Sequence, residues 1–183
     1  MDLVKIDGLL KSIKFDDFCI EATFQFKLLM QLAKVFDECS VFPEKNIEYY
    51  RLNVRNFSKK EVDIIIEQSN DSNIAIELKM PMNGQVPEKM YKFIEDIKFL
   101  EELKATGIFG KCYLIVVTND AKFWQGNKKE GIYSFFRNRQ ILRGKILKPT
   151  GNRKKENYHQ ISNEYQINWN SMNNNFRYFV VNV

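Results

Sequence analysis

The chain predicts an α/β fold in which helices flank a mixed central sheet, formed as one domain, and three observations carry that prediction. Two short runs between Glu61 and Met80 alternate apolar and polar residues with the period of a strand. The stretch from Pro87 to Thr106 repeats apolar residues at helical spacing. Beyond it, Cys112 to Thr118 (CYLIVVT) is a near-continuous apolar run, as a strand covered on both faces requires.

In chain order, Asp16 or Asp17 caps a helix running to about Phe36, with Phe18, Ala22, Phe26, Leu29, Ala33 and Phe36 as its apolar stripe. Glu21 and Gln25, one turn apart, flank that stripe. Pro43 and Glu44 break the pattern, and Ile47 to Val54 (IEYYRLNV) is predicted as a strand from its aromatic and β-branched content. Asn56 to Lys60 forms the turn into the next pair of strands.

That pair spans Glu61 to Met80. Side chains of a strand alternate faces, so Val62, Ile64, Ile66, Ile74, Ile76, Leu78 and Met80 line one buried face. Glu61, Asp63, Ile65, Glu67, Asn73, Ala75, Glu77 and Lys79 point the other way. Gln68 to Asn73 is rich in turn formers, which predicts an antiparallel hairpin. Apolar residues meet apolar ones only if facing positions sum to an even number. A sum of about 140 sets Asp63 opposite Glu77, and one of about 142 sets it opposite Lys79; both gather Asp63, Glu77 and Lys79 into one patch. Two opposed carboxylates repel unless a cation sits between them.

Met80-Pro81 and Asn83-Gly84 form a loop, Pro87 takes a first helical position, and Gly107 ends the helix. Met90, Phe93, Ile94, Ile97, Leu100 and Leu103 form its core face. Glu88, Lys92, Glu95, Lys98 and Glu102 are expected to face water, with Glu88 and Lys92 paired, although Gln85 or Lys92, near the helix start, can lean toward the patch. The helix joins two strands, so Asn73–Met80 and Cys112–Thr118 are expected as parallel neighbours. Glu164 to Trp169 and Phe176 to Val183 are expected as a closing strand pair joined through an Asn-rich turn. Residues 1–183 read as a single domain, with a core over about 17–118 and a basic C-terminal part over about 119–183.

With 183 residues, 44% of them hydrophobic, the chain can bury a real core. No apolar run approaches a membrane span and MDLVKID is no signal peptide, so a soluble cytoplasmic protein is expected. Cys19, Cys39 and Cys112 stand far apart, which argues against a disulfide framework or a structural zinc site. The single histidine, His159, lies in a polar segment and reads as a solvated loop residue rather than the base of a Ser-His-Asp set. Charge is uneven: from Lys122 to Lys155 eleven Lys or Arg face one acid, Glu130, leaving that segment at +10 and the remainder at −5. Phosphate-binding surfaces have this character. The aromatics within it, Phe123, Trp124, Tyr133, Phe135 and Phe136, read as core.

Mg²⁺ takes oxygen ligands, commonly one or two carboxylates completed by water and substrate phosphates. Asp63, Glu77 and the backbone carbonyl of Leu78 supply such a partial shell. Lys79 points to the same side, where an ammonium orients water or offsets charge growing on phosphorus; if desolvated enough to lose its proton, it serves as general base.

Asp63, thirteen residues, then Glu77-Leu78-Lys79 resembles the PD-(D/E)xK nuclease superfamily, with Val62 where the motif name has Pro. The likeness spans about Asp17 to Thr118. It implies a restriction-endonuclease-like αβββαβ core and DNA phosphodiester cleavage dependent on Mg²⁺, with Mn²⁺ as a substitute. The products usually carry a 5′-phosphate, and members are frequently homodimers. A Glu on the first helix recurs in the superfamily, and Glu21 fills that position, beside Asp63, Glu77 and Lys79 as catalytic residues. The basic C-terminal part makes the chain most similar to type II restriction endonucleases or related defence or repair nucleases. On this reading Arg137, Arg139, Arg143 and Lys145 contact DNA, most of them at phosphates. Two other readings compete: a catalytically silent nucleic-acid-binding regulator on the same fold, and a nuclease specific for RNA or branched DNA.

Overall fold

The computed structural model describes residues 3–15, 20–36, 40–69, 71–82, 84–151, 156–172 and 175–183. The expected caps Asp16 and Asp17, then Phe18, Cys19, Cys39, Asn83, Arg153, Lys154 and Lys155, and Asn173 and Asn174 of the expected turn, lie outside these residues. The helices are α1 (Leu3–Ser12), α2 (Glu21–Val35), α3 (Val86–Ala105) and α4 (Ile132–Arg137). The strands are β1 (Ser40–Asn46), β2 (Glu61–Glu67), β3 (Asn73–Lys79), β4 (Phe109–Thr118), β5 (Leu142–Leu147), β6 (Tyr158–Tyr165), β7 (Asn170–Ser171) and β8 (Arg177–Asn182).

β2 and β3 form the antiparallel hairpin, with Ile64 opposite Ile76, Ile65 opposite Ala75 and Ile66 opposite Ile74, the first of the two expected registers. β3 then runs parallel to β4 across α3, as its flanking strands predict. β1 on one side and β8 and β7 on the other complete a mixed six-stranded sheet in the order β1-β2-β3-β4-β8-β7. β5 and β6 form a separate two-stranded ribbon that packs on α3.

Each face of the sheet has its own core. Ile64, Ile66, Ile74, Ile76, Leu78 and Met80 pack with Tyr113, Ile115 and Val117 of β4 against α1 and α2. Ile65, Ala75, Cys112, Leu114 and Val116 pack against α3, α4 and the ribbon. Val62 breaks the parity rule and belongs to the α3 side, at the end of β2 that still pairs with β1 but no longer with β3. α3 follows its periodicity closely: all six expected core residues are buried, and Gly107 past its end takes a left-handed φ of 75°. Its expected water face is partly covered. Ser58 donates to Glu102 from both N–H and Oγ, Glu88 pairs with Lys148, and Glu95 and Lys98 are half-buried beneath the ribbon.

Several elements differ from expectation. The first strand is Ser40–Asn46, not Ile47–Val54. Ile47–Tyr50 instead forms a 3₁₀ turn because the Asn46 side chain accepts from the Glu48 N–H and caps it. Pro43, read as a break, is tolerated because β1 is an edge strand. α2 starts at Glu21 behind an extended Ile20, and its buried stripe is Phe24, Leu28 and Leu32. Ala22, Phe26 and Ala33 lie on the exposed side, Phe26 being 62% accessible. α2 carries an apolar series on both sides, and α1, unforeseen, supplies Ile6 and Leu10 to the core that selects one of them. In the C-terminal part, Glu164–Trp169 is not the partner of β8: β6 ends at Tyr165 and pairs with β5, while β7 pairs with β8. His159 is half-buried on β6 and stacked 4.4 Å from the Tyr91 ring, not solvated. Cys112 is free and buried. Among the described residues no helix is long and apolar enough to cross a membrane.

Candidate active site

The hairpin ladder ends at the Ile64–Ile76 pair, and the strands part at Asp63. Gln25 Nε2, from α2, donates to the Asp63 carbonyl at 2.8 Å and to Glu44 Oε1 at 2.8 Å. The Leu78 N–H donates to Asp63 Oδ2 at 2.6 Å. A side-chain carboxylate therefore takes a bond that the ladder would have given to a backbone carbonyl, and this holds Asp63 beside β3 in a fixed pose.

Around that point five ionisable side chains converge: Asp63, Glu77 and Lys79 from the hairpin, Asp96 from α3 and Lys59 from the loop before β2. Lys79 Nζ stands 3.5 Å from Asp63 Oδ2, 3.7 Å from Glu77 Oε2 and 3.6 Å from Asp96 Oδ2. Lys59 Nζ contacts Glu77 Oε2 directly and lies 2.9 Å from Asp96 Oδ1. Glu77 is fully buried and the Asp96 side chain is 3% accessible, whereas Lys59 remains 27% accessible.

The charges do not balance, because three carboxylates meet two ammonium groups. Burial, then repulsion from Asp63 and Asp96, outweighs the two lysines and pushes the Glu77 carboxyl up to about 8. Glu77 thus stores the proton that the excess of acids requires. Burial alone would pull Lys79 down, but Asp96, Asp63 and Glu77 more than offset it and hold its pKa above the usual lysine value. The same competition, with Glu77 and Asp96 as the attracting acids, raises Lys59. Lys79 therefore stays an ammonium, so the general-base role conditional on a lowered pKa does not fit this environment.

Glu21 reaches the same end of β3 without joining the cluster: its Oε2 accepts from the Met80 N–H at 2.7 Å and ties the start of α2 to the strand just past Lys79. The Leu78 carbonyl accepts from Lys79 Nζ at 2.7 Å. Lys92 is exposed one turn before Asp96 on α3, and Gln85 is the exposed N-cap of that helix.

Two members escaped sequence reasoning. Asp96 carried a signal, since it falls inside the apolar arc of α3, where an acid needs a partner. Lys59 carried none; nothing separates it from Lys60 until the fold turns one inward and leaves the other at 70% side-chain exposure.

The C-terminal bases are arranged differently. Arg137 donates to the carbonyls of Lys122 and, at 2.8 Å, Lys128, with its guanidinium 4.1 Å from the Tyr133 ring centroid. Arg143 pairs with Glu164 across the ribbon, and Lys145 Nζ lies 4.2 Å from the Tyr158 ring centroid. Arg139 is exposed in a left-handed turn of φ 53°. Phe123 and Phe136 are core as expected, with Trp124, Tyr133 and Phe135 packed at its margin. A cavity of about 390 Å³ beside α3 is lined by Tyr91, Lys92, Lys148, Tyr158 and His159 among others.

Compared with protein-family models, with curated proteins and with solved structures, the chain matches none. Among the described residues no group of three or more His, Cys, Asp or Glu side chains is gathered so as to hold a metal ion by itself, and the acids here close on ammonium groups. The donor set nevertheless suits a hard divalent cation such as Mg²⁺: the acids offer only oxygen, and the buried Glu77 Oε1 and Asp96 Oδ2 accept no hydrogen bond.

Proposed function

We propose that the protein is a Mg²⁺-dependent endonuclease of the PD-(D/E)xK kind, hydrolysing DNA phosphodiester bonds as restriction, defence or repair enzymes do. The observation that carries the reading is the meeting of Asp63, Glu77 and Lys79 where the hairpin strands part, with Glu77 Oε1 buried and unpartnered. The order α2-β1-β2-β3-α3-β4, which matches the restriction-endonuclease-like core in sequence of elements, supports it.

Asp63, held by the Leu78 N–H, and Glu77 offer carboxylate oxygens to the cation. When bound, the cation supplies Lewis acidity toward a phosphoryl oxygen and toward water at neutral pH. Lys79, protonated and beside both acids, offsets negative charge growing on phosphorus and orients the attacking water. Gln25 and Glu21 position the site from α2 by holding the backbone of Asp63 and Met80. Exposed bases of the C-terminal part, Arg139 and Lys145 foremost, meet phosphates at a distance from the chemistry.

A second reading, a nucleic-acid-binding regulator that does not cleave, is favoured by one observation: Lys59 already contacts both Glu77 and Asp96. Plasmid and genomic DNA incubated with Mg²⁺ or EDTA, beside Asp63→Ala and Lys79→Ala, separates the two. Mg²⁺-dependent cleavage lost in both variants supports the nuclease, with discrete bands marking restriction. Binding without cleavage supports the regulator, and an Asp63→Ala protein as active as the wild type rejects the site. RNA and branched DNA in parallel reactions test the substrate class.

A further inference from the structure

The ammonium of Lys59 sits where a cation shared by two carboxylates would sit, in direct contact with Glu77 Oε2 and 2.9 Å from Asp96 Oδ1. Charge balance restricts what can happen when a divalent ion enters. With Glu77 ionised to take a cation, three carboxylates and two lysines carry one negative charge. Adding a divalent cation with both lysines kept leaves one positive charge and forces two cations onto the same buried acids. Exchanging Lys59 for the divalent cation leaves the cluster neutral, the state that burial penalises least.

Access favours the same lysine. Lys59 reaches in from a loop and is 27% accessible, with a flexible stem that can swing outward. Its neighbour Ser58 is anchored to Glu102 through N–H and Oγ, so the side chain can leave while the loop stays. Lys79, by contrast, is bonded to the Leu78 carbonyl within its own strand end. The two buried oxygens without hydrogen bonds, Glu77 Oε1 and Asp96 Oδ2, belong to the acids Lys59 now holds.

Resting on the metal-site reading above, we propose that Lys59 is a built-in counter-ion that a divalent cation displaces, with Asp96 as a third acid of the cation site. The released ammonium then lies at the rim of the site, where a phosphate approaches.

Two measurements on the full chain test this. In the first, lysine acetylation of the wild-type protein is followed by mass spectrometry in EDTA and in Mg²⁺. Displacement predicts that Lys59 is modified about five- to tenfold faster in Mg²⁺, because a paired, half-buried amine reacts slowly. In the second, Mg²⁺ is titrated into wild type, Lys59→Met and Asp96→Asn by calorimetry. Removing the competitor tightens Mg²⁺ binding about tenfold in Lys59→Met, and losing an acid weakens it by a similar factor in Asp96→Asn. Unchanged labelling of Lys59 in a protein that binds Mg²⁺ and cuts DNA overturns the displacement alone, whether or not Lys59→Met folds. A wild-type protein that takes up no Mg²⁺ overturns the displacement and the metal-site reading together.

Discussion

The site between the hairpin and α3 and the basic C-terminal part both concentrate charge, yet they treat it in opposite ways. In the site, five ionisable side chains from separated segments are brought together, and two acids keep oxygens that accept no hydrogen bond. In the C-terminal part, several of the described bases stay near the surface with local partners: carbonyls for Arg137, Glu164 for Arg143, an aromatic ring for Lys145. Burying acids without full partnering is costly, and on the proposed reading an incoming cation relieves that cost. Surface bases cost little and add a diffuse attraction for phosphate. Density of charge in the sequence therefore marks the second region, while the first is marked by where charge is placed.

Substitutions separate the two regions. The largest effect is expected at the acids. Asp63→Ala or Glu77→Ala lowers Mg²⁺-dependent cleavage by about 10³-fold or more, whereas Lys145→Ala leaves the catalytic step intact and lowers the salt slope of DNA binding by about one. Cleavage rates and binding isotherms at several salt concentrations measure the two. Next comes Lys59→Ala, which leaves the buried Glu77 and Asp96 with Lys79 as their remaining cation and costs about 3 kcal/mol of stability in EDTA by denaturant unfolding.

Glu77 adds a pH dependence. Its pKa rises from an ordinary 4.5 to about 8 in the fold, so the folded state binds the extra proton between those values. Its contribution to stability is full below about pH 4.5 and is lost as pH rises through about 8. Melting temperatures in EDTA should fall across that window, and Glu77→Gln should flatten the fall. A wild-type curve that rises there instead would rule out a buried, proton-storing carboxyl at Glu77. Smaller still, Arg137→Ala frees the 122–128 loop at a cost of about 1 kcal/mol, and Arg143→Ala, an exposed pair, stays within about 0.5 kcal/mol.

Much of the architecture was legible where one physical signal dominated. The period-two alternation of Glu61 to Met80 specified the hairpin, its faces and the patch of Asp63, Glu77 and Lys79, and the stripe of α3 with the apolar run of β4 specified the parallel crossover. Reading failed where two signals competed. α2 offers Phe24, Leu28 and Leu32 on one side and Ala22, Phe26 and Ala33 on the other, and only contact with α1 and the sheet decides between them. The aromatic Ile47–Tyr50 favours a strand by composition, but Asn46 caps it into a turn. Within the site, Asp96 was visible as an acid on an apolar arc, while Lys59 depends on a loop whose path no local pattern encodes.

Calorimetric titration of Mg²⁺ into the wild-type protein and Asp63→Ala, repeated from about pH 6 to about pH 8 in buffers of different ionisation enthalpy, tests the cation seat most directly. The wild type should show saturable uptake that releases a proton and tightens with pH as Glu77 becomes easier to ionise, and Asp63→Ala should lose it. No saturable uptake by the wild type, or equal uptake by Asp63→Ala, would contradict the assignment.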